Sequence, residues 1–269
     1  MDWSYKNHMK KDMNNKTCKQ RFLDGFKILT RSRNLYEVWR DTMYLFACGI
    51  SNPTIVPLKD INGFKDVWEE REKEYIRIIN KYDKKEQKLF PQMFALLVQE
   101  LQEHPDQDLL GELYMRAEIS NNKAGQFFTP YNICKMMSDV TFDRKAVGKQ
   151  VHEKGYVSVN DCACGAGATL IASIEKCKEM FKKLNFQNHV YFVGQDIDRV
   201  CVNMCYIQLS LQGVAGYVIH GNTLTEPVPK SLKQIWFTPM WFSNVWSMRR
   251  LFHGQDILGR EIKQKECQK

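Results

Sequence analysis

From about Lys19 to Ile119, apolar residues recur at the spacing of helices with one buried face. Leu35, Val38, Trp39, Met43 and Phe46 form one stripe, and Phe64, Val67, Trp68, Tyr75, Ile78 and Ile79 a second. A third, Phe94, Leu97, Val98 and Leu101, follows Pro91, where a helix can begin. Breaks are expected at Asn52-Pro53, Pro57, Asn62-Gly63 and His104-Pro105. After Gly155 the texture changes. Tyr156 to Asn160, His189 to Gly194, Tyr217 to His220 and Gln234 to Phe237 read as four strands. Helical runs from about Thr169 to Leu184 and from Arg199 to Gln212 separate the first three. Alternation of this kind predicts a parallel α/β sheet. The expected organisation is a helical domain over 1–120, led by a basic arm, and an α/β domain over 121–269.

Composition narrows the class. The chain has 269 residues, 43% of them apolar and 12% aromatic, too rich in core-forming side chains for a disordered chain. No apolar run approaches the roughly 18 residues of a membrane helix, and Met1 to Lys6 is not a signal peptide. A soluble cytoplasmic protein without membrane association is the expectation. The net charge of +8 favours a polyanionic partner. Residues 1–40 are the most basic stretch, either a solvated tail or a grip on nucleic acid. The nine cysteines lack the spacing of a disulfide framework and read as free thiols. Cys162-x-Cys164 and Cys201-x-x-x-Cys205 leave zinc open beside simple packing; the expectation is no metal.

The chemistry lies in the turns after the strands. Asn160-Asp161-Cys162-Ala163-Cys164-Gly165-Ala166-Gly167 joins the first strand to a helix, where glycines let a ligand approach main-chain N–H groups. Gly194-Gln195-Asp196-Ile197-Asp198 ends the second strand, and an acid there can accept both hydroxyls of a ribose. Gly221-Asn222-Thr223-Leu224 follows the third strand, placing an amide near an adenine edge. Three loops at the carboxyl ends of successive parallel strands describe a nucleoside-binding crevice. Upstream, Thr129 of Gly125-Gln126-Phe127-Phe128-Thr129-Pro130 is expected to cap a helix begun by Pro130, with Ile133, Met136, Met137 and Val140 on its buried face.

The order Gly-Gln-Phe-Phe-Thr-Pro, Asp-Cys-Ala-Cys-Gly-Ala-Gly, Gly-Gln-Asp-Ile-Asp and Gly-Asn-Thr-Leu resembles the adenine-N6 DNA methyltransferases, particularly modification subunits of type I restriction–modification systems and their short phage or mobile-element relatives. The likeness runs from about Asp108 to Asn222, under half the chain. It implies a Rossmann-like methyltransferase fold that uses S-adenosylmethionine and acts on DNA. By that resemblance Phe128 and Thr129 would contact the methionine part of the cofactor, and Asp161, Gly165 and Gly167 would shape the loop around it. Asp196 would hold the ribose, Ile197 would pack on the adenine and Asn222, where the family usually has Asp, would read its edge.

Two features depart from the family pattern. Such enzymes carry an Asn/Asp/Ser-Pro-Pro-aromatic segment after the fourth strand, whose polar group and carbonyl accept from the amine of a flipped adenine. Here Thr238-Pro239-Met240-Trp241 stands after that strand, making Thr238, Pro239 and Trp241 the candidate catalytic residues. The aromatics from Trp236 to Trp246 are either a base-stacking platform or the sheet's hydrophobic cover. The region beyond Trp241 also lacks strand character, so the methyltransferase domain reads as C-terminally shortened. Three functions follow: DNA adenine-N6 methylation; a catalytically lapsed cofactor-binding or DNA-associated subunit that works through a specificity or partner protein; or, ranked below these, methylation of a small molecule or protein by the same pocket.

Overall fold

The computed structural model describes residues 16–61, 63–119, 128–182 and 184–253. The arm before residue 16, the segment Gly125-Gln126-Phe127 and Cys267 lie outside them. Five helices of two turns or more come first among the described residues: α1 (Cys18–Leu29), α2 (Leu35–Ile55), α3 (Phe64–Ile79), α4 (Leu89–Glu103) and α5 (Leu109–Arg116), with a one-turn helix, Lys84–Gln87, before α4. Two more, α6 (Tyr131–Thr141) and α7 (Arg144–Lys154), lead into the sheet. There β1 (Val157–Asp161), α8 (Ala168–Met180), β2 (Val190–Asp196), α9 (Arg199–Leu211) and β3 (Ala215–His220) alternate, followed by β4 (Ile235–Phe237) and α10 (Asn244–His253).

The sheet order is β1-β2-β3-β4. The first three strands are parallel, in registers Val157↔Val190 and Tyr191↔Ala215. The fourth departs from the expected parallel arrangement. It pairs antiparallel with β3, Ile219 opposite Ile235 and Tyr217 opposite Phe237. Its approach contains no crossover helix; the one-turn Leu232–Gln234 precedes it directly, so the chain turns back along the edge it has just left.

Period-two alternation divides the sheet residues between two apolar layers. Val190 and Phe192 of β2 and Val218 of β3 join α8 and α9 in a core that continues into α1, α2, α4 and α5 through Phe22, Trp39, Phe46, Leu97 and Leu113. Tyr191, Tyr217 and Ile219 face the other way and meet Phe64, Val67, Trp241 and Trp246. The helical half and the sheet therefore share a core.

Three sequence expectations are corrected here. The helix α2 runs through Asn52-Pro53 to Ile55; Pro53 lies on its exposed side within the last turn, where only one helical hydrogen bond is forfeited. Thr129 does not cap α6; Pro130 occupies the cap position without a side-chain hydrogen bond. The buried face of α6 is also not the apolar one. Ile133, Met136, Met137 and Val140 are exposed, Val140 to 84%, whereas Cys134 and Ser138 are buried. Small residues decide this: Cys134 packs against Ala168 and Ala172 of α8, and the Ser138 and Ser173 hydroxyls lie 3.1 Å apart. The pairs Lys135–Glu175 and Lys176–Asp139, each 2.6 Å, fix that close approach from both sides.

Candidate functional site

The carboxyl ends of β1, β2 and β3 carry three loops bonded to one another. The N–H of Gly165 donates to Asp196 Oδ2 at 2.9 Å, joining the glycine turn after β1 to the end of β2. The N–H of Gly221 donates to the Asp196 carbonyl at 2.9 Å, and Thr223 Oγ1 donates to the Cys162 carbonyl at 2.6 Å. Asp161, Gly165, Asp196 and Asn222 are thereby held around one crevice, where open α/β sheets bind ligands.

Each side chain has a local reason for its place. Asp161 Oδ1 accepts from the Ala163 N–H at 3.0 Å and Oδ2 from the Thr169 hydroxyl, so one carboxylate spans the turn and the first turn of α8. Gly165 and Gly167 adopt φ of +53° and +98°, where side-chain-bearing residues are strained. A Cβ at Gly165 would come 3.3 Å from the ring of Phe128, and one at Gly167 would come 3.0 Å from Cys205 Sγ. Phe128 is half-buried over the turn; Thr129 is exposed beside it. Cys164, Cys201 and Cys205 are buried packing groups, and burial raises the Cys201 thiol far above its ordinary range. Cys162 alone of the two motifs is exposed.

The end of β2 sets a carboxylate beside an exposed apolar side chain. Asp196 Oδ1 accepts from the Asp198 N–H at 2.8 Å, so each carboxylate oxygen already holds one backbone donor and keeps lone pairs for more. Burial raises the Asp196 carboxyl, opposed by those two hydrogen bonds, while Asp198 and Asp161 push it up further. Ile197 next to it is 67% exposed, an apolar side chain presented at the crevice. Asn222 Oδ1 accepts from the Leu224 N–H at 2.9 Å, which directs its acceptor into the loop and leaves the amide nitrogen as the group to offer a ligand.

The expected catalytic segment is elsewhere. Because β4 runs back along β3, Thr238 returns to the amino-terminal end of the sheet: its N–H donates to Gly216 O at 3.0 Å and its hydroxyl to Val214 O at 2.7 Å. That is on the order of 20 Å along β3 from Asn222. Thr238 is 0% exposed, and Trp241 packs against Tyr217 and Tyr191 with centroids 5.2 and 5.5 Å apart. Pro239 begins the short turn that carries Trp241 there. Thr238, Pro239 and Trp241 thus do not meet the crevice, and the aromatics around them are the sheet's hydrophobic cover.

Two residues around the crevice were not singled out by sequence. Gln208, 1% exposed, donates to the Ala166 carbonyl at 2.8 Å and to Asp108 Oδ1 at 2.8 Å. The signal was present in the sequence as an amide within the apolar run of α9, beside a second one at Asn203, and as an acid before Leu109.

A model of the family described as N-6 DNA Methylase matches residues 105–257, more than half of the chain. The chain belongs to the N-6 DNA methylase family. A curated relative, the type I restriction enzyme MpnII methylase subunit of Mycoplasma pneumoniae (strain ATCC 29342 / M129 / Subtype 1), is 26% identical over 126 residues, 44% of this chain and 21% of that protein. The chain thus spans about a fifth of that relative's length. Among solved structures, a class I S-adenosylmethionine-dependent methyltransferase described as putative, from Listeria monocytogenes, is similar with TM-score 0.35 and 19% identity, over 68% of this chain and 54% of that one. A type I restriction-modification methyltransferase subunit from Streptococcus thermophilus is similar with TM-score 0.39 and 17% identity, over 80% and 60%. The matched region contains the three-loop crevice together with α5 to α10.

Proposed function

We propose that the crevice binds S-adenosylmethionine and that the protein serves adenine-N6 methylation of DNA. The supporting observation is the junction at Asp196, where the glycine turn, the end of β2 and the loop after β3 meet. Asp196 accepts the ribose hydroxyls, Ile197 packs on the adenine, and Asn222 donates to the adenine edge. Asp161 and the two glycines hold the turn around the methionine portion, with Phe128 and Thr129 along its side. Bound in this way, the cofactor supplies an electrophilic methyl group on its sulfonium. The chain orients it at one end of the sheet and keeps the turn narrow.

The acceptor side supports a second reading. Adenine N6 needs hydrogen-bond acceptors to sharpen its lone pair, and Thr238 lies buried at the far end of the sheet. In that reading the chain is a cofactor-binding, DNA-associated subunit, and a partner or specificity protein brings the groups that engage the base. Its net charge of +8 suits DNA in either case.

Calorimetry with S-adenosylmethionine, followed by transfer of labelled methyl to unmethylated DNA, separates these readings. Label in adenine that disappears with Asp196→Ala supports the enzyme. Binding without transfer supports the subunit. Absence of binding overturns both.

A further inference from the structure

The helix α5 is linked to the glycine turn at both of its ends, through Gln208 and through Phe128. At its start Asp108 caps it, Oδ1 accepting from the Gly111 N–H at 3.0 Å. Gln208 reaches across from α9: its Oε1 accepts from the Leu110 N–H at 3.0 Å, while Nε2 donates to Asp108 Oδ1 and to the Ala166 carbonyl, each at 2.8 Å. One buried amide thereby joins the start of α5, the middle of the turn and the helix after β2. At the other end of α5 the Tyr114 ring meets Phe128 edge-on at 5.3 Å, and Phe128 lies against Gly165. Tyr114 is fixed from behind by Trp39 of α2, at 5.7 Å.

We propose that Gln208 and Tyr114 are positioning residues that hold Gly165 and Ala166 from two sides and thereby set the cofactor turn against Asp196. The proposal rests on the cofactor reading above. Gly165, gripped by Phe128, is the residue whose N–H orients the Asp196 carboxylate, so a shift of the turn moves the group that faces the ribose. Asp108 is the costly part. Burial raises its carboxyl, and the Gln208 and Gly111 hydrogen bonds oppose the rise. A purely space-filling contact would use apolar groups here; a buried acid and amide fix direction as well as distance.

Gln208→Glu tests this with nearly unchanged shape. It puts a carboxylate where two donors are needed, facing Asp108 and the Ala166 carbonyl. The double variant Asp108→Asn with Gln208→Glu relieves the repulsion between the two carboxylates but still leaves the Ala166 carbonyl without its donor. Two readouts are taken: hydrogen exchange of main-chain amides 161–168 without cofactor, and the Kd for S-adenosylmethionine by calorimetry. Gln208→Glu should speed exchange in the turn and weaken binding, each by about tenfold or more, the scale of one lost buried hydrogen bond. The double variant should leave exchange in the turn fast and binding weak, because the link to Ala166 stays broken. Wild-type exchange and affinity in a folded Gln208→Glu protein, or their full recovery in the double variant, overturns the proposal. Should Gln208→Glu fail to fold, Tyr114→Leu is measured in the same two ways from the other end of α5: faster exchange with weaker binding supports the clamp, and wild-type values overturn it. Faster exchange in a protein whose wild type binds no S-adenosylmethionine would overturn the cofactor reading and leave the clamp standing.

Discussion

The Gly165 nitrogen lies 2.9 Å from Asp196 Oδ2, so the turn after β1 and the carboxylate at the end of β2 form a single hydrogen-bonded unit. Burial holds that carboxyl above its ordinary range. Its ionised form is the one that accepts best from the Gly165 N–H and, in the proposed cofactor site, from a ribose. Affinity for S-adenosylmethionine should therefore fall as pH drops through the raised value, beginning above the usual Asp range near about 3.9. Calorimetry across mildly acidic pH would show this slope, and Asp196→Asn should weaken binding at neutral pH by about tenfold and flatten the slope. An unchanged slope in that variant would remove Asp196 from the site.

Asp108 gives a stability prediction of defined sign. Burial raises its carboxyl while the Gln208 and Gly111 bonds oppose the rise. Over the window between the ordinary and the raised value, the folded protein keeps a proton that the unfolded chain has lost. This contribution to stability is fullest below the ordinary value and declines as pH rises through the raised one. Asp108→Asn retains an acceptor for the Gly111 N–H and should remove the decline, raising the melting temperature at neutral pH. Melting curves across pH on both proteins check it.

Two glycine-to-alanine changes should have opposite signs. At Gly167, φ is +98° and a Cβ would sit 3.0 Å from Cys205 Sγ, so Gly167→Ala should destabilise by about 1–3 kcal/mol and distort the turn. Gly49 is exposed in α2, and a Cβ there would meet nothing within 4 Å. Gly49→Ala should therefore stabilise by about 0.5–1 kcal/mol. Chemical denaturation of both variants measures the contrast.

Changes at the far end of the sheet should read as stability defects. Trp241 is buried among Tyr191, Tyr217 and Trp246, so Trp241→Ala should cost about 3–5 kcal/mol. Thr238→Val removes the donor to Val214 O and should cost about 1–2 kcal/mol. In folded preparations of either, the Kd for S-adenosylmethionine should match the wild type. A selective loss of binding would return these residues to the crevice.

What could be read in advance follows from where the determining forces act. The strands around Val159, Phe192 and Val218, and the turns ending them, declare themselves through local apolar runs and glycines that only a left-handed backbone requires. The positions of Asp161, Asp196 and Asn222 beside strand ends were legible for the same reason. Two things were not local. The reversal of β4 depends on pairing between Tyr217 and Phe237, and an isolated run such as Ile235-Trp236-Phe237 carries no direction. The face of α6 was decided by Ala168 and Ala172 of α8, whose small size admits Cys134 and Ser138 closely and leaves Met136 and Val140 outside. The helix α7, with no buried residue, offered little periodicity to find.

The apolar layer that runs from Phe22 and Trp39 through α9 to Phe192 and Val218 also governs how the molecule comes apart. A helical bundle and a sheet that finish each other's interiors are one cooperative folding unit. Residues 128–253 expressed alone would expose the flank of α9 that α2 covers, and heating the protein should melt both regions in a single transition.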